Sequence, residues 1–221
     1  GVDVHAATAE RLPFGDGGFD AARRLLASSQ GVLPADEVAR WRGLDPALDL
    51  RVEDARALSF AAASFDAVVC VSVIEHVAGD GDATAMAEIW RVLRPGGVLH
   101  LTTNVAACEG EVRTARVVYD TEGDGAAGPS EEGAFFERRY SAESLDRRLL
   151  GLGWREEARE YVRERRPVHE RFFAARPLSF LVGALLPLVC VRNFAPMGSP
   201  AQLPPGAHGV VFLRLRKPAG G

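Results

Sequence analysis

With 221 residues, 47% of them hydrophobic, the chain can bury one sizeable core, and its length sets the expectation of a single domain. A net charge of −4 gives no support to nucleic-acid binding. Cys70, Cys108 and Cys190 are odd in number and widely spaced, which fits a reducing cytoplasm with neither a disulfide framework nor a zinc site. Of the 26 basic residues only Lys217 is lysine. Arginine is the better fork for phosphate, but a genome rich in G and C produces the same bias and explains it more simply.

In chain order, the first feature is an ungapped correspondence of Ala9–Asp20 with Ala55–Asp66. Directly after the first copy, Ala21 to Ala27 reads as helix rather than as a buried strand. A coincidence of common residue types and a remodelled or partly duplicated segment both remain open there. Arg51 to Asp54 reads as a strand ending in an acidic residue, and Ala67 to Val73 is a near-continuous β-branched run, as a central buried strand requires. Asp82 can cap a helix in which Met86, Ile89, Trp90 and Leu93 form one apolar stripe. Arg94 suits the negative end of that helix, and Pro95-Gly96-Gly97 turns the chain into a strand from Val98 to Thr102. In right-handed βαβ units the carboxyl ends of such strands share one edge, so Asp54, Ser72 to His76 and Thr102 to Asn104 are expected to gather where open α/β sheets bind ligands.

Beyond this, Ala106 to Gly133 is rich in Gly, Ala, Glu and Asp and reads as a long loop or lid. Phe135 to Tyr140 restores order, Ser141 can cap a helix running to about Leu150, and Gly151 and Gly153 end it. Trp154 to Arg163 and Gly209 to Leu215 read as strands. Between them Pro177 to Val191 carries no charge and is flanked by Arg176 and Arg192. It is shorter than a spanning helix and is interrupted by Pro187. A buried helical hairpin or pocket wall is the first reading. The other is a surface that docks peripherally on a membrane or binds an apolar substrate, with Arg171 and Arg176 beside it as headgroup partners. The opening residues do not read as a secretory signal.

The middle of the chain resembles the second half of a class I S-adenosylmethionine-dependent methyltransferase domain of the type 11 small-molecule group. The resemblance rests on Asp54-Ala55, Leu58-Ser59-Phe60, Ser64-Phe65-Asp66, Val73-Ile74-Glu75-His76-Val77, Glu88-Ile89 and Arg91 to Gly97, all in order and register. It implies an α/β fold, a Rossmann-like, mainly parallel sheet with helices on both faces, and S-adenosylmethionine as cofactor. By resemblance, Asp54 would accept a hydrogen bond from the adenine amino group while the Ala55 amide approaches the ring. Val71 and Ser72 would offer backbone groups to the cofactor. No metal site is implied. The glycine-rich turn that opens such domains is not found upstream of Asp54, because Gly15-Asp16-Gly17-Gly18 comes soon after Pro13, which argues against a central strand. The N-terminal part is therefore read as incomplete or remodelled, with Val2 to Ala6 as a candidate second strand.

One domain is expected to span 1–221, with a divergent part at 1–47, core motifs at 48–104, a loop or lid at 105–139 and a C-terminal part at 140–217 that contains the apolar insertion 177–191. The expected function is methyl transfer to a small, apolar or lipid-like acceptor in the cytoplasm. The alternatives are a methyltransferase-like interaction or regulatory module without catalysis and, more remotely, a nucleotide-sugar or nicotinamide enzyme. Glu75-His76 invites a general-base reading because histidine titrates near neutrality, but in this family the pair usually packs the strand-to-helix turn. The catalytic residue and the acceptor stay unassigned, as does the oligomeric state.

Overall fold

The computed structural model describes residues 53–114, 133–166 and 193–220. They form seven strands and two helices: β1 (Phe65–Val71), α1 (Gly81–Val92), β2 (Leu93–Ala106), β3 (Gly110–Thr114), β4 (Ala134–Arg139), α2 (Ala142–Leu149), β5 (Arg155–Glu164), β6 (Phe194–Met197) and β7 (His208–Arg216). A five-stranded sheet has the order β1-β2-β7-β5-β6, and β3 pairs with β4 in a separate ribbon.

β1 and β2 are parallel, whereas β7 runs antiparallel to both β2 and β5, and β6 antiparallel to β5. Among the described residues the sheet is thus mixed rather than mainly parallel. The strands β1, β2 and β5 nevertheless share one direction, so Val71, Ala106 and Glu164 end at a common carboxyl edge.

Alternation explains why the core lies on one side. Leu99, Leu101 and Val105 of β2 and Val211, Leu213 and Leu215 of β7 are sealed in one cluster with Ala85, Met86 and Ile89 of α1 and Leu145 and Leu149 of α2. Residues of the other parity fall on the opposite face, where Val69, Val71 and Phe212 are exposed. The expectation of helices on both faces is met on one face only by the described helices.

Local chemistry sets the element ends, with some departures from expectation. Glu53 and Asp54 lie in no strand and lead directly into a turn. The cap of α1 is Asp80, which makes no side-chain cap bond, while Asp82 sits inside the first turn, fully buried. Pro95, Gly96 and Gly97 do not precede β2 but form an irregularity within it, across which pairing jumps from Phe65↔Leu93 to Ala67↔Val98. Gly96 has φ +81°, a region that suits glycine, and its N–H bonds the Lys217 carbonyl at 2.9 Å. Arg94 pairs with Asp66 rather than with the helix end. Lys217 takes that place, its Nζ donating to the carbonyls of Trp90 and Leu93 at 2.7 Å each.

Ser141 caps α2 in a reciprocal capping box with Ser144. The first part of the expected loop at 106–133 is ordered instead as the end of β2 and as β3, which pairs with β4. The remainder of that loop lies outside the described residues. So do the apolar run 177–191, the first copy of the 9–20 correspondence and the segments 2–6 and 21–27.

Candidate functional site at the carboxyl edge of the sheet

Chain geometry changes abruptly where β1 ends. Ser72 has φ +51°, a left-handed conformation that costs a non-glycine residue free energy and often marks a functional bend. Its N–H donates to the Thr102 carbonyl at 3.1 Å and to Thr102 Oγ1 at 3.2 Å, which ties the bend to β2. A short 3-10 turn, Ile74–His76, comes next and buries both Ile74 and Glu75.

Glu75 is sealed from solvent, its Oε2 accepting from Thr103 Oγ1 at 3.0 Å. Its Oε1 has no partner among the described residues. Burial pushes this carboxyl up to about 7, and the nearby Glu137 charge adds to the shift. Its own backbone N–H, Thr103 and the Ser72 side chain oppose the rise. Glu137 is also buried but complete, accepting from Asn104 Nδ2 at 2.9 Å and from Arg139 Nε at 2.8 Å. His76 Nδ1 lies 2.7 Å from the Phe136 carbonyl, which can only accept, so that nitrogen carries the hydrogen. The His76 ring also packs edge-on against Phe136 at 5.0 Å, and these contacts fit a packing role against β4.

The turn at Asp54 reaches the same end of the fold, because a Cβ placed on Gly81, the first residue of α1, would meet Val77 Cγ1 at 2.5 Å and Arg56 Cδ at 3.0 Å. Asp54 is not a free acceptor in this arrangement. Arg56 Nε spans both of its oxygens at 2.9 and 3.0 Å, Arg56 Nη2 adds a contact at 2.6 Å, and the Arg56 backbone N–H a further one at 2.9 Å. The Arg56 bonds hold the Asp54 carboxyl below its ordinary value, although burial opposes them. Ala55 is buried in the core cluster. Val71 pairs with Thr102 and turns its side chain to the exposed face, and Ser72 forms the bend. Ser72, Glu75 and Thr103 thus meet at the edge, whereas Asp54 and Ala55 belong to a neighbouring turn.

Sequence patterns did not reveal the ion cluster below this edge. Asp82 accepts from Arg148 Nε and Nη2 at 2.8 Å each, from Tyr140 Oη at 2.9 Å and from the Ala83 N–H at 2.8 Å. Arg138 lies beside it, reaching Glu111 at 3.1 Å and the Gly79 carbonyl at 2.9 Å. Burial and the Asp82 charge push the Tyr140 hydroxyl far up. No separation of residues in the sequence signals this cluster, because its members come from α1, β3, β4, the residue that follows β4, and α2. A shallow trough also lies on the exposed sheet face, lined by Val69, Val71, His100, Thr102, Phe212 and Arg214. Among the described residues no cluster of side chains could hold a metal ion, and no helix is long and apolar enough to cross a membrane.

Comparison with known proteins gives one family match and several distant structural likenesses. Residues 26–101 match the family model described as a methyltransferase domain, a stretch that includes the Asp54 turn, β1, Glu75, α1 and the first half of β2. The match covers about a third of the chain and shows similarity to that family over those residues. No curated protein sequence matches it. Among solved structures it is similar to 1,6-didemethyltoxoflavin-N1-methyltransferase from Burkholderia thailandensis, solved with 1,6-didemethyltoxoflavin and S-adenosylhomocysteine bound. That match has 18% identity over 96% of this chain and 69% of the other, with a TM-score of 0.46. An S-adenosylmethionine-dependent methyltransferase from Methanosarcina mazei matches at 15% identity over 90% and 87% of the two chains, with a TM-score of 0.46. The cyclase SpnF matches at 22% identity over 90% and 70%, with a TM-score of 0.45. These likenesses are distant, and what each of those proteins binds or catalyses is its own.

Proposed function

We propose that the chain binds S-adenosylmethionine at the carboxyl edge of its sheet and transfers the methyl group to a small, apolar acceptor. The methyltransferase-domain match over 26–101 carries this reading, because that stretch builds the edge at which Ser72 bends and Glu75 keeps one oxygen unpartnered. An orphaned buried oxygen is what a site that takes a cationic ligand would present. Bound there, the cofactor would supply an already activated methyl group, so the protein's task is mainly alignment and, where the acceptor needs it, removal of a proton.

The residues that would hold the cofactor are the backbone at Val71 and Ser72, the Ala55 amide and Asp54. For Asp54 to receive an adenine amino group, Arg56 must yield part of its contact. Support for an apolar acceptor comes from where the chain leaves the sheet. The segment between Arg166 and Asn193 departs and returns at the carboxyl edge, next to the end of β5. Asn193 ties its two ends together, its Oδ1 accepting from the Arg166 N–H at 3.1 Å and its Nδ2 donating to the Arg166 carbonyl at 2.7 Å. This is the segment that contains the uncharged run 177–191. Peripheral contact with a membrane through the same run would deliver a lipid-like acceptor.

Calorimetry of the full chain with S-adenosylmethionine and S-adenosylhomocysteine tests the reading. Measurable binding is expected, weakened by about 1 to 3 kcal/mol in Asp54→Ala, the scale of an unmet buried hydrogen bond. Unchanged affinity in a folded Asp54→Ala variant would remove Asp54 from the site. No binding of either ligand by the parent would favour a methyltransferase-like interaction module instead.

A further inference from the structure

Glu75 stands apart among the buried polar groups at the edge. Its one firm hydrogen bond comes from Thr103, and its second oxygen is unpartnered although the residue is fully buried. A buried carboxylate in that state is costly unless it stays protonated or meets a cation. Among the described residues no cationic side chain hydrogen-bonds it. Cys70 on β1 is pushed up to about 12 by burial and by the Glu75 charge, and the Tyr140 hydroxyl beyond β4 is pushed up further, so both are neutral. On β2 stand the neutral Thr103 and Asn104. The charge that acts on it is that of Glu137 on β4, of like sign and already engaged by Arg139. His76, next in the chain, turns its Nδ1 to the Phe136 carbonyl. Arg138 lies with Asp82, Glu109 and Glu111.

We propose that Glu75 is the counter-charge of the cofactor site: it is protonated in the free protein, and it gives up that proton when a sulfonium-bearing ligand binds but not when the neutral thioether product binds. This rests on the cofactor reading given above and adds to it a means of telling donor from product. A positive sulfonium favours the ionised carboxylate, and by linkage the ionised carboxylate favours the sulfonium. The thioether carries no such charge and leaves Glu75 protonated. Once ionised, Glu75 is also a basic group inside the site at the stage when an acceptor proton has to leave.

The test is calorimetry of the full chain with S-adenosylmethionine and with S-adenosylhomocysteine, near pH 6 and near pH 8, each in two buffers of different ionisation enthalpy. Parent and Glu75→Gln are compared. Amino groups of the ligands titrate alike against both proteins, so the difference between the two reports Glu75. In the parent near pH 6, donor binding should release close to one proton more than in Glu75→Gln, and donor affinity should rise about tenfold towards pH 8. Product binding should show neither effect. Glutamine keeps the shape and can still accept from Thr103, so the variant should fold. Thr103→Val is a second probe: losing its hydroxyl should move the midpoint of donor-linked proton release to higher pH. Equal proton counts and equal pH slopes in parent and Glu75→Gln, or equal release for donor and product, would overturn the proposal while leaving the cofactor site standing. Absence of binding by both ligands to the parent would overturn both.

Discussion

Glu75, on the segment that joins β1 to α1, and Asp82, in the first turn of α1, are both fully buried carboxylates, yet their surroundings could hardly differ more. Both oxygens of Asp82 are occupied, by Arg148, Tyr140 and a backbone N–H, with Arg138 close by. Glu75 has one firm donor, the Thr103 hydroxyl, with lesser help from its own backbone N–H and the Ser72 side chain, and one unpartnered oxygen. A completed set of partners fixes the start of α1 against β4 and α2. An incomplete one leaves a group whose protonation can respond to what arrives. Buried carboxylates thus divide here into one that organises the fold and one that is available to a ligand, and the division is open to experiment.

The largest effect should come from Asp82→Ala. It would leave Arg148 and Arg138 without their shared buried partner and should cost about 3 to 5 kcal/mol, the usual penalty for stranding a buried charge. Urea unfolding of parent and variant measures it. A loss under about 1 kcal/mol would mean that the cluster is dispensable and that the contrast with Glu75 has no energetic content.

Glu75→Gln should have the opposite sign near pH 8. The folded-state value near 7 lies above the ordinary 4.5, so the folded protein binds the proton more tightly than the unfolded chain. Stability from this group is therefore fully present below about pH 4.5, declines as pH rises, and is gone above about pH 7. A gap of roughly 2.5 units corresponds to at most about 3 kcal/mol. Glutamine should remove that decline and leave the variant more stable than the parent at about pH 8. Exposed carboxylates such as Glu157, held low by Arg216, pull the other way and are the same in both proteins, so the difference curve isolates Glu75. A difference curve flat between about pH 4.5 and pH 7 would show that Glu75 ionises as freely in the folded chain as in the unfolded one.

Legibility from sequence tracked the range of the interactions. β1, α1, α2, β5 and β7 could be read because each carries its own periodicity and stop signals, such as the Ser141 cap or the apolar stripe of α1. The edge strand β6 (Phe-Ala-Pro-Met) was not read, since it is short, contains Pro196 and owes its place to pairing with β5. Position did not give role. Asp82 has the residue type and spacing of a cap but is drawn inward by Arg148 and Tyr140, which are distant in the chain. The family motif marked Asp54 as a ligand residue, but its neighbour Arg56 engages the same carboxylate. Glu75 stood in a noticed motif, and only the burial of the 3-10 turn distinguishes its carboxyl from the ring of His76.

Tyr140→Phe probes the comparison at the level of one bond. It removes a hydroxyl that donates to the buried Asp82 and should cost about 2 kcal/mol, as hydrogen bonds to charged groups do. Combined with Arg148→Ala in a double-mutant cycle it should show coupling, because both partners share Asp82 Oδ2. Strict additivity of the two changes would mean that Asp82 does not act as a common node.

The smallest effect is expected at Ser72, the bend that brings Glu75 under the sheet edge. Its φ of +51° costs a side-chain-bearing residue about 1 to 2 kcal/mol, whereas glycine meets it freely but loses about 0.5 to 1 kcal/mol of chain entropy. Ser72→Gly should therefore be slightly stabilising, by about 0.5 kcal/mol, and Ser72→Ala should not be. Ser72 is also among the groups that hold the Glu75 carboxyl down. Both variants should therefore move the midpoint of the Glu75-dependent decline in stability to higher pH, whichever way their overall stability goes. Thermal unfolding across the neutral range separates the two contributions. A midpoint that stays put in both variants would show that the bend positions Glu75 without touching its charge.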